Sequence, residues 1–249
     1  MTDNLFRYAK AVHPDRDLPS DVRLVHNQHT MTIFDLYPKA KYHFLVLPRL
    51  PLVLPTNTSP PDKIDFFPID LVSLSSLLRL NRHKKSPETA SPPMMVLEKL
   101  KEAAEDCVAM IKDEMLKTEG FIWDIWVGFH AVPSMRHVHL HIISSDLIGR
   151  GLKKKGHYNS FRPDLGFFLH LDDVLRMVRE DNIEALPKPK EDYEALSRTE
   201  LECHKCGKTL KNIPLLKEHM EEEWEMLKAN AKVWDDNQPT RARTTRRGG

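Results

Sequence analysis

The sequence predicts an α+β fold in which an antiparallel sheet packs against helices and a small zinc-finger module follows at the C-terminal end. Short aliphatic runs bounded by Pro, Asn or Asp are typical of a meander of antiparallel strands. After residue 93, apolar side chains recur at helical spacing. No Gly-rich strand-to-helix loop is present, which argues against a doubly wound parallel sheet.

The first half of the chain alternates short elements. A helix is expected from about Asp3 to Val12, because Asp3 can cap it and the His13-Pro14 pair ends it. Residues 51–68 are rich in Pro, Thr and Asn, so a loop is expected there. Three strands are expected between these segments, over Val22–His26, Met31–Leu36 and Tyr42–Leu47.

The second half begins with a helix expected over residues 69–80 and a polar loop over residues 81–92. A long helix should then start at Pro93, a residue favoured in the first helical turn, and run to about Leu116. Two further strands are expected over residues 122–130 and 137–144, joined by a turn that contains Pro133.

Composition limits the class of protein. The chain has 249 residues, 41% of them apolar, and a net charge of +1, which suits one domain with a small appendage or one large domain. Three cysteines exclude a disulfide-stapled scaffold and favour a reducing compartment. The N-terminus does not read as a signal peptide, and the most apolar run, residues 44–54, is too short to span a bilayer. We therefore expect a soluble intracellular protein without a membrane partner.

The segment His137-Val138-His139-Leu140-His141 is the most informative in the chain. In an extended strand the three histidines share one face, with the outer imidazoles about 13 Å apart, so one metal could take only two adjacent ones. Alternatively, one neutral imidazole acts as a nucleophile towards phosphorus. The three histidines could also merely decorate a sheet. His130 ends the preceding strand and can lie alongside.

A second motif has the spacing of a zinc finger. Cys203 and Cys206 form a C-x-x-C pair, and twelve residues separate Cys206 from His219. Glu223 lies one helical turn beyond His219 and is the expected fourth ligand of one structural zinc ion. The competitors for that fourth position are His204, Glu221 and Glu222.

The segment from Leu147 to Pro163 carries five cations and no acid, interleaved with His157, Tyr158 and Phe161. It suits a DNA backbone, although a solvated lysine loop is the plainer interpretation. The composition also predicts a boundary near Leu186, with one domain over residues 1–186, a zinc-finger module over 187–236 and a disordered basic tail over 237–249. The five cations of the segment from Leu147 to Pro163 are Arg150, Lys153, Lys154, Lys155 and Arg162.

Several motifs together resemble the aprataxin branch of the histidine-triad (HIT) superfamily of nucleotide hydrolases and transferases. They are residues 128–135 leading into the histidine triplet, residues 35–48, and Leu152-Lys153 followed by residues 157–161. The resemblance implies a HIT-like antiparallel sheet with packed helices, and removal of AMP from 5′-adenylated DNA ends. It runs from about residue 3 to the C-terminal module, and it implies that residues 1–186 are a HIT-like catalytic domain and that the zinc-finger module over 187–236 binds DNA.

The resemblance also implies catalytic roles. His139 would attack the α-phosphate and form an AMP-histidine intermediate, with His137 and His141 orienting it and binding phosphate oxygens. His130 would stabilise or protonate the departing DNA 5′-phosphate, and water would release AMP.

The same resemblance implies which residues bind the nucleotide, here called the nucleotide side of the site. Asp35 would accept hydrogen bonds from the ribose hydroxyls, although a strand-end turn residue is the plainer interpretation. Lys39 is equally a candidate for a solvated turn lysine. The other nucleotide-side residues are Leu36, Tyr37, His43, Ser134 and Lys153.

The DNA-binding residues expected from the basic segment are Lys154, Lys155, His157 and Tyr158. Proteins of this branch place an aromatic near the first helix, where it stacks on the terminal base pair. The aligned place here falls near Met1, so Phe6 is a candidate substitute, although Phe6 and Tyr8 suit the core better at this spacing.

The expected partner is nicked or broken duplex DNA that carries a 5′-adenylate, and the expected product is AMP. The protein is expected to be a monomer and to be located in the nucleus. Two rivals stay open. One is a HIT hydrolase of small dinucleotides or nucleoside phosphoramidates, and the other is a non-catalytic DNA-binding scaffold.

Overall fold

The structure is a computed structural model that describes residues 3–56, 59–60, 62–83 and 91–236. The expected basic tail, residues 237–249, and most of the expected polar loop at 84–90 lie outside these residues, as does Met1. Two short 3-10 segments, Arg79–His83 and Pro163–Leu165, accompany the helices. The helices are α1 (Asn4–Ala9), α2 (Pro14–Asp17), α3 (Leu74–Leu78), α4 (Pro92–Glu119), α5 (Lys155–Asn159), α6 (Leu171–Arg179), α7 (Lys190–Leu196) and α8 (Ile213–Asp236).

Six strands form one antiparallel sheet in the order β1-β2-β3-β7-β6-β8, and β4 pairs only with β5. The antiparallel sheet with packed helices confirms the expected α+β class. No helix in the described ranges has the length and apolar character needed to cross a bilayer. The strands are β1 (Arg23–His26), β2 (Thr30–Phe34), β3 (His43–Pro48), β4 (Leu52–Pro55), β5 (Lys63–Phe66), β6 (Ile125–His130), β7 (Leu140–Ser144) and β8 (Phe168–His170).

The main core lies between α4 and one face of the sheet. Leu97, Leu100 and Ala104 of α4 pack with Leu140 and Ile142 of β7 in one buried cluster. The helix begins one residue before Pro93 and ends three residues beyond Leu116, where Gly120 caps it in the left-handed conformation with φ 79°. Because this face of the sheet is occupied by α4, the alternate side chains of β3 and β7 are left for the opposite face.

Several of the expected elements are wrong in extent. The first helix ends at Ala9, before Val12, and part of the expected loop at 51–68 is a hairpin, because Leu52 and Phe66 join the main core. The helix expected over 69–80 begins only at Leu74, because the backbone of residues 71 and 72 pairs with the histidine segment instead.

The strand that carries the histidine motif begins at Leu140 and not at His137. His137 has a φ of 92°, so the chain turns there before it enters the sheet. Helices α2, α5, α6 and α7 and strand β8 were not predicted. For α6 the signal was present, since Leu171, Val174 and Val178 recur at helical spacing and are buried.

A buried carboxylate ties the sheet to the turn that precedes β3. Asp146 is fully buried and accepts hydrogen bonds from the backbone N–H of Lys41 at 2.8 Å, from Trp123 Nε1 at 3.0 Å and from Ser144 Oγ. The buried Trp123 Nε1 would be left unpaired in the core without this side chain, whereas Ser144 Oγ also donates to the carbonyl of Tyr42 at 3.3 Å. Asp146 therefore positions the 35–43 segment against β7.

We expect Asp146→Ala to destabilise the protein by about 3 kcal/mol or more, because hydrogen bonds to a charged group are worth roughly 1.5–3 kcal/mol each and the orphaned donors stay buried. Urea unfolding followed by circular dichroism measures the loss. Asp113→Ala, on the exposed side of α4, is the matched control and should shift the free energy of unfolding by less than roughly 0.5 kcal/mol. Equal losses in the two variants would contradict the assignment.

Candidate active site and zinc module

Four histidines meet on the face of the sheet opposite α4. His43 begins β3, His130 ends β6, His141 lies in β7 and His139 directly precedes β7. The ring centroid of His141 lies 4.3 Å from that of His130, 4.9 Å from that of His139 and 5.3 Å from that of His43. The structure thus brings together three of the four predicted catalytic histidines and adds His43, which was predicted on the nucleotide side.

His137 does not share the face of the other histidines. Its ring lies beside Phe6, at 6.1 Å between centroids, and its Nε2 donates to the carbonyl of Pro48 at 2.7 Å. The expected line of three imidazoles on one straight strand is therefore wrong, because the left-handed backbone at His137 turns that ring away. What His137 contributes to the cluster is its own carbonyl oxygen.

That carbonyl fixes the tautomer of His139. His139 Nδ1 lies 2.8 Å from the carbonyl oxygen of His137, and a carbonyl can only accept, so Nδ1 carries the proton. The lone pair of a neutral His139 is then on Nε2. A neutral imidazole with a bare Nε2 is the form that can attack phosphorus.

A second chain of hydrogen bonds orients His141. The backbone N–H of Lys39 donates to His43 Nδ1 at 3.3 Å, so neutral His43 carries its proton on Nε2. His43 Nε2 lies 3.0 Å from His141 Nδ1, which must then accept and leave the proton on His141 Nε2. His141 Nε2 and His130 Nε2 are both buried without a hydrogen-bond partner. Two unpaired ring nitrogens in one cluster mark the place where a ligand is expected to bind.

Burial keeps these imidazoles neutral. Desolvation lowers the pKa of His43 and of His137 to about 4, from an ordinary value of 6.5. Desolvation also lowers the pKa of His139, and it lowers that of His130 and His141 well below 6.5, with the neighbouring imidazoles adding to the effect. At physiological pH the cluster is therefore uncharged, which suits a nucleophile better than an anion-binding patch.

The predicted nucleotide side adjoins the histidine cluster. Asp35 Oδ1 accepts the backbone N–H of Tyr37 at 2.7 Å and lies 3.7 Å from Lys39 Nζ, while Asp35 Oδ2 lies 3.8 Å from His43 Nε2. Burial lowers the pKa of the Lys39 ammonium, and Asp35 opposes that shift. Lys39 is therefore a partly buried, paired cation. Leu36 and Tyr37 are 45% and 70% exposed beside this pair, and a cavity of about 640 Å³ is lined in part by Asp35, Leu36 and His43.

Two glycines, which have no side chain, allow the backbone of the basic segment to contact the backbone of the nucleotide side. A Cβ on Gly149 would lie 2.4 Å from the carbonyl oxygen of Pro38, and one on Gly151 would lie 2.1 Å from that of Tyr37. Gly151 N donates to the Pro38 carbonyl at 2.7 Å. The segment that bears Lys153 is thereby fixed to the segment that bears Asp35.

The predicted DNA-contacting residues divide into exposed and buried ones. Lys154 and Lys155 are exposed, as are Lys153 and Ser134 of the predicted nucleotide side, and His157 is half-buried with Nδ1 3.1 Å from the Gly151 carbonyl. Tyr158 is fully buried and donates to the carbonyl of Glu202 at 2.9 Å. The prediction of Tyr158 as a DNA contact is therefore wrong, because a ring inside the core has no free surface.

Arg162 is also removed from the predicted basic surface. It is 3% exposed and pairs with Asp164 at 2.5 Å and with Glu202 at 3.1 Å. Phe6, the candidate stacking residue, is half-buried, with Lys10 Nζ 4.2 Å and Arg136 Cζ 4.9 Å from its ring centroid.

Sequence reasoning missed the role of Phe161. Its ring lies 4.5 Å from that of His130 and 5.3 Å from those of His43 and His141, so it forms the apolar wall of the cluster. The signal was its place in the basic segment, where a large apolar residue has no use on a solvated loop. The role of the Pro48 carbonyl had no signal in the sequence.

A metal at the histidines was the rival interpretation. Donor atoms of Asp35, His43 and His141 lie within 4.8 Å of one another and could in principle converge on an ion. However, the facing nitrogens of His43 and His141 already share one hydrogen, and the Lys39 ammonium is paired with Asp35. An ion would have to displace both, so the nucleophile interpretation is the stronger one.

The zinc ligands predicted from spacing do converge. Donor atoms of Cys203, Cys206, His219 and Glu223 lie within 4.8 Å of one another, with Cys206 Sγ 3.2 Å and Glu223 Oε1 3.5 Å from His219 Nε2. Zinc bonds of about 2.0–2.3 Å at tetrahedral angles place ligand atoms roughly 3.3–3.8 Å apart. The two thiols, one imidazole and one carboxylate thus fit a structural zinc site.

Local structure explains both halves of this site. Gly207, with φ 74°, donates to the carbonyl of Cys203 at 2.8 Å and closes the turn that carries the two cysteines, while α8 presents His219 and Glu223 one turn apart. The competitor His204 is turned away, since its Nδ1 lies 3.2 Å from the hydroxyl of Tyr158. Glu221 and Glu222 are exposed and outside the cluster.

The zinc module shares its core with the histidine cluster. Leu201, Cys203, Leu216 and Met220 form one buried cluster with residues of the sheet domain, including Phe161. Because Phe161 also contacts His130, the module forms part of the support of the site. The metal would supply a crosslink between the cysteine turn and α8.

Fold and site together define a HIT-type domain with a C-terminal zinc finger. Residues 81–157 match the family described as scavenger mRNA decapping enzyme C-term binding, and residues 164–226 match the C2HE / C2H2 / C2HC zinc-binding finger. The second description includes the Cys-Cys-His-Glu ligand set that the structure assembles.

Relatives extend the similarity over most of the chain. Aprataxin of Danio rerio is 33% identical over 76% of this chain and 46% of its own length, and aprataxin of Gallus gallus is 31% identical over 82% and 51%. The chain thus spans about half the length of these relatives. The aprataxin-like protein of Saccharomyces cerevisiae is 30% identical over 80% of this chain and 89% of its own length.

Solved structures of similar proteins have the same fold over most of this chain. The crystal structure of aprataxin ortholog Hnt3 in complex with DNA has a TM-score of 0.64 at 24% identity and covers 92% of this chain and 98% of its own. Hnt3 in complex with DNA and guanosine has a TM-score of 0.63 at 25% identity with the same coverage. The chain belongs to the aprataxin-like family.

The lowered histidine pKa values predict a pH-dependent stability. Between about pH 6.5 and pH 4 the histidines of the unfolded chain are protonated, whereas the buried imidazoles of His43 and His137 in the folded protein are still neutral. The free energy of unfolding should therefore fall as the pH is lowered through this window. Each such histidine contributes at most about 1.4 kcal/mol per pH unit. Urea unfolding at a series of pH values measures the slope.

The control for this slope is His137→Gln, whose amide can still donate to the Pro48 carbonyl. The variant should show a shallower slope than the wild-type protein, since one titrating group is gone while zinc-dependent effects are common to both. Parallel curves for the two proteins would show that His137 does not titrate as burial predicts.

The zinc assignment predicts one zinc ion per chain that depends on Glu223. Glu223→Gln should weaken zinc binding by more than roughly 100-fold, because loss of a direct ligand should exceed the 10–100-fold effect typical of residues that only support ligands. Competition with a zinc-chelating dye measures the affinity. Glu222→Gln, with its exposed neighbouring carboxylate, should bind zinc normally, and equal affinities for all three proteins would remove Glu223 from the ligand set.

Proposed function

We propose that the chain is a DNA adenylate hydrolase that removes AMP from 5′-adenylated DNA ends through a covalent AMP-histidine intermediate. The observation that carries this proposal is the hydrogen bond from His139 Nδ1 to the His137 carbonyl, which leaves Nε2 of a buried, neutral imidazole free beside two unpaired ring nitrogens. The relatives named aprataxin and the DNA complexes of Hnt3 support the choice of substrate.

The first step is attack of His139 Nε2 on the α-phosphorus of the adenylate. A P–N bond forms, the P–O bond to the DNA 5′-phosphate breaks, and the DNA phosphate departs with the bonding electron pair. His141 Nε2–H would donate to a non-bridging oxygen, where negative charge gathers in the transition state. His130 Nε2 would take up a proton as the phosphates approach, since a nearby anion favours its charged form, and would stabilise the leaving phosphate.

The second step is hydrolysis of the AMP-histidine. Water attacks the same phosphorus and the P–N bond breaks with its electron pair returning to Nε2, while the proton that the water loses passes to solvent, so AMP leaves and His139 is neutral again. Asp35 would accept the ribose hydroxyls, which holds the phosphorus in line with Nε2 through both steps.

The DNA would lie along the exposed lysines. Lys153, Lys154 and Lys155 follow the Gly151 contact with the nucleotide side, so a strand that delivers its 5′-adenylate to His139 passes them. Binding should therefore weaken steeply with salt, because each neutralised phosphate releases counterions. We also propose that the protein acts as a monomer. We further propose that the protein acts in single-strand break repair in the nucleus, where such ends arise.

The proposed chemistry predicts that acid quenching traps label from 5′-[³²P]-adenylated nicked DNA on the protein, and that a chase releases it as AMP. His139→Ala should trap no label and lose more than roughly 10⁴-fold in rate, the scale of losing a catalytic nucleophile. Gel electrophoresis of quenched protein and thin-layer chromatography of the product measure the two quantities.

A substitution outside the histidine cluster provides the control. His26→Ala, on the edge strand β1, should label and turn over as the wild-type protein does. If His139→Ala retained turnover, the nucleophile would be wrong. If a dinucleotide and adenylated DNA were cleaved at equal, salt-insensitive rates, the chain would be a small-nucleotide hydrolase instead.

A further inference from the structure

The outer edge of strand β6 is only half covered by its neighbour. Strand β8 pairs with residues 128–130, and the chain then turns into α6 at Leu171. Within the described residues, no strand lies beside residues 125–127 on that side, while their other side pairs with β7. The sheet therefore ends in a short open edge at the start of β6.

The hydrogen-bond register shows which main-chain groups are left open. The N–H of Ser145 donates to the carbonyl of Asp124 at 2.8 Å, so the main-chain groups of Asp124 face β7. Residues alternate in an antiparallel ladder, which means that Trp126 also faces β7, while the N–H and C=O of Ile125 point to the open edge. No strand or turn in the described ranges supplies a partner for these two groups. Such groups are a template on which another strand can pair.

A cavity of about 510 Å³ runs along the open edge and gives an added strand room to lie there. Residues 125–127 form one wall, and a stripe of α4 residues three or four positions apart forms the other. The start of α6, at Leu171 and Asp172, lines the end next to β8. The stripe of α4 consists of Lys101, Ala104, Glu105, Val108, Ala109 and Lys112.

Side chains of an added strand would alternate between two different surfaces. Ile125 and Val127 pack with the main core on the α4 side, whereas Trp126 packs on the other side, where its ring centroid lies 5.1 Å from that of His204. Every second side chain would then contact the half-buried Val108, and those between would contact the indole of Trp126. In strand addition, main-chain bonds give affinity and such alternate contacts give specificity.

The charges at the two ends of the cavity favour one direction for the added strand. Lys101 pairs with Glu105 at 3.8 Å, whereas Lys112 has no ion pair with any residue that the structure describes. Five residues join α4 to β6, so Lys112 lies toward Ile125, and Asp172 lies at the opposite end, next to β8. A peptide antiparallel to β6 would therefore place an acidic residue on its C-terminal side beside Lys112.

We propose that the open edge of β6 binds an extended segment of a partner protein, which adds to the sheet antiparallel to β6 and in line with β8. The segment has aliphatic or β-branched residues at alternate positions and an acidic residue on its C-terminal side. A second copy of this chain fits less well, because β8 of each copy would limit the pairing to three residues. A peptide can continue past Ile125 along the exposed Asp124 and Ile122. The surface is separate from the histidine cluster, so this proposal does not depend on the proposed function.

A random dodecapeptide phage library, panned on the zinc-loaded full-length protein, tests which ligand the cavity takes. We expect enriched peptides with Val, Ile or Thr at alternate positions and with Asp or Glu on the C-terminal side. No enrichment, or enrichment without that alternation, would overturn the proposal. Enrichment of peptides that resemble the basic residues 239–247 would overturn it in favour of the chain's own C-terminal segment.

Backbone N-methylation of an enriched peptide separates strand addition from other modes of binding. A methyl group on an N–H that faces β6 should weaken binding by roughly 10-fold or more, because it removes a main-chain hydrogen bond and holds the peptide off the edge. A methyl group on the next residue should change the affinity by less than roughly 2-fold. Fluorescence anisotropy measures both affinities, and losses that do not alternate along the peptide would contradict strand addition.

A charge swap locates the peptide on the protein. Lys112→Glu should weaken binding of a peptide that ends in Glu by roughly 3- to 10-fold, and replacing that Glu by Lys should restore it. Lys117→Glu, also exposed on α4 but outside the cavity, is the matched control. Equal affinities for the two variants would refute the site. A dimer in sedimentation that Lys112→Glu dissociates would assign the edge to a second copy and overturn the proposal.

Discussion

The site depends on main-chain groups that decide where each imidazole keeps its proton. The carbonyl of His137 holds the proton of His139 on Nδ1, and the N–H of Lys39 sets His43, which in turn sets His141. The partners of His139 and His43 are backbone groups, which cannot rotate away as side chains do, and the His43 side chain carries the effect on to His141. Burial then makes the arrangement effective, since it keeps the rings neutral and removes competing water.

The zinc module is part of this arrangement and not a separate attachment. Its buried residues pack around Phe161, and Phe161 lies against His130, His43 and His141. Arg162, the next residue, pairs with Glu202 just before the first zinc ligand. A metal that braces the cysteine turn against α8 therefore also braces the wall of the histidine cluster.

Much of the fold and of the site could be predicted from the sequence, because the residues that form the core and bind zinc occur in short, regular patterns. Alternation in β7 and the finger spacing from Cys203 to Glu223 led to the core face and the zinc ligands. The turn at His137 was not predictable, because it follows from tertiary pairing of its N–H with Val72. Tyr158 and Arg162 were misassigned to the surface, since composition alone cannot distinguish an exposed basic loop from one buried under a later module.

Gly149 and Gly151 bring their loop so close to the Tyr37–Pro38 backbone that not even one methyl group fits between them. The segment that would hold the sugar and the segment that would hold the nucleic-acid backbone therefore have to move as a single body. Binding of the sugar and binding of the nucleic-acid backbone would therefore be coupled, because a displacement of one segment would displace the other.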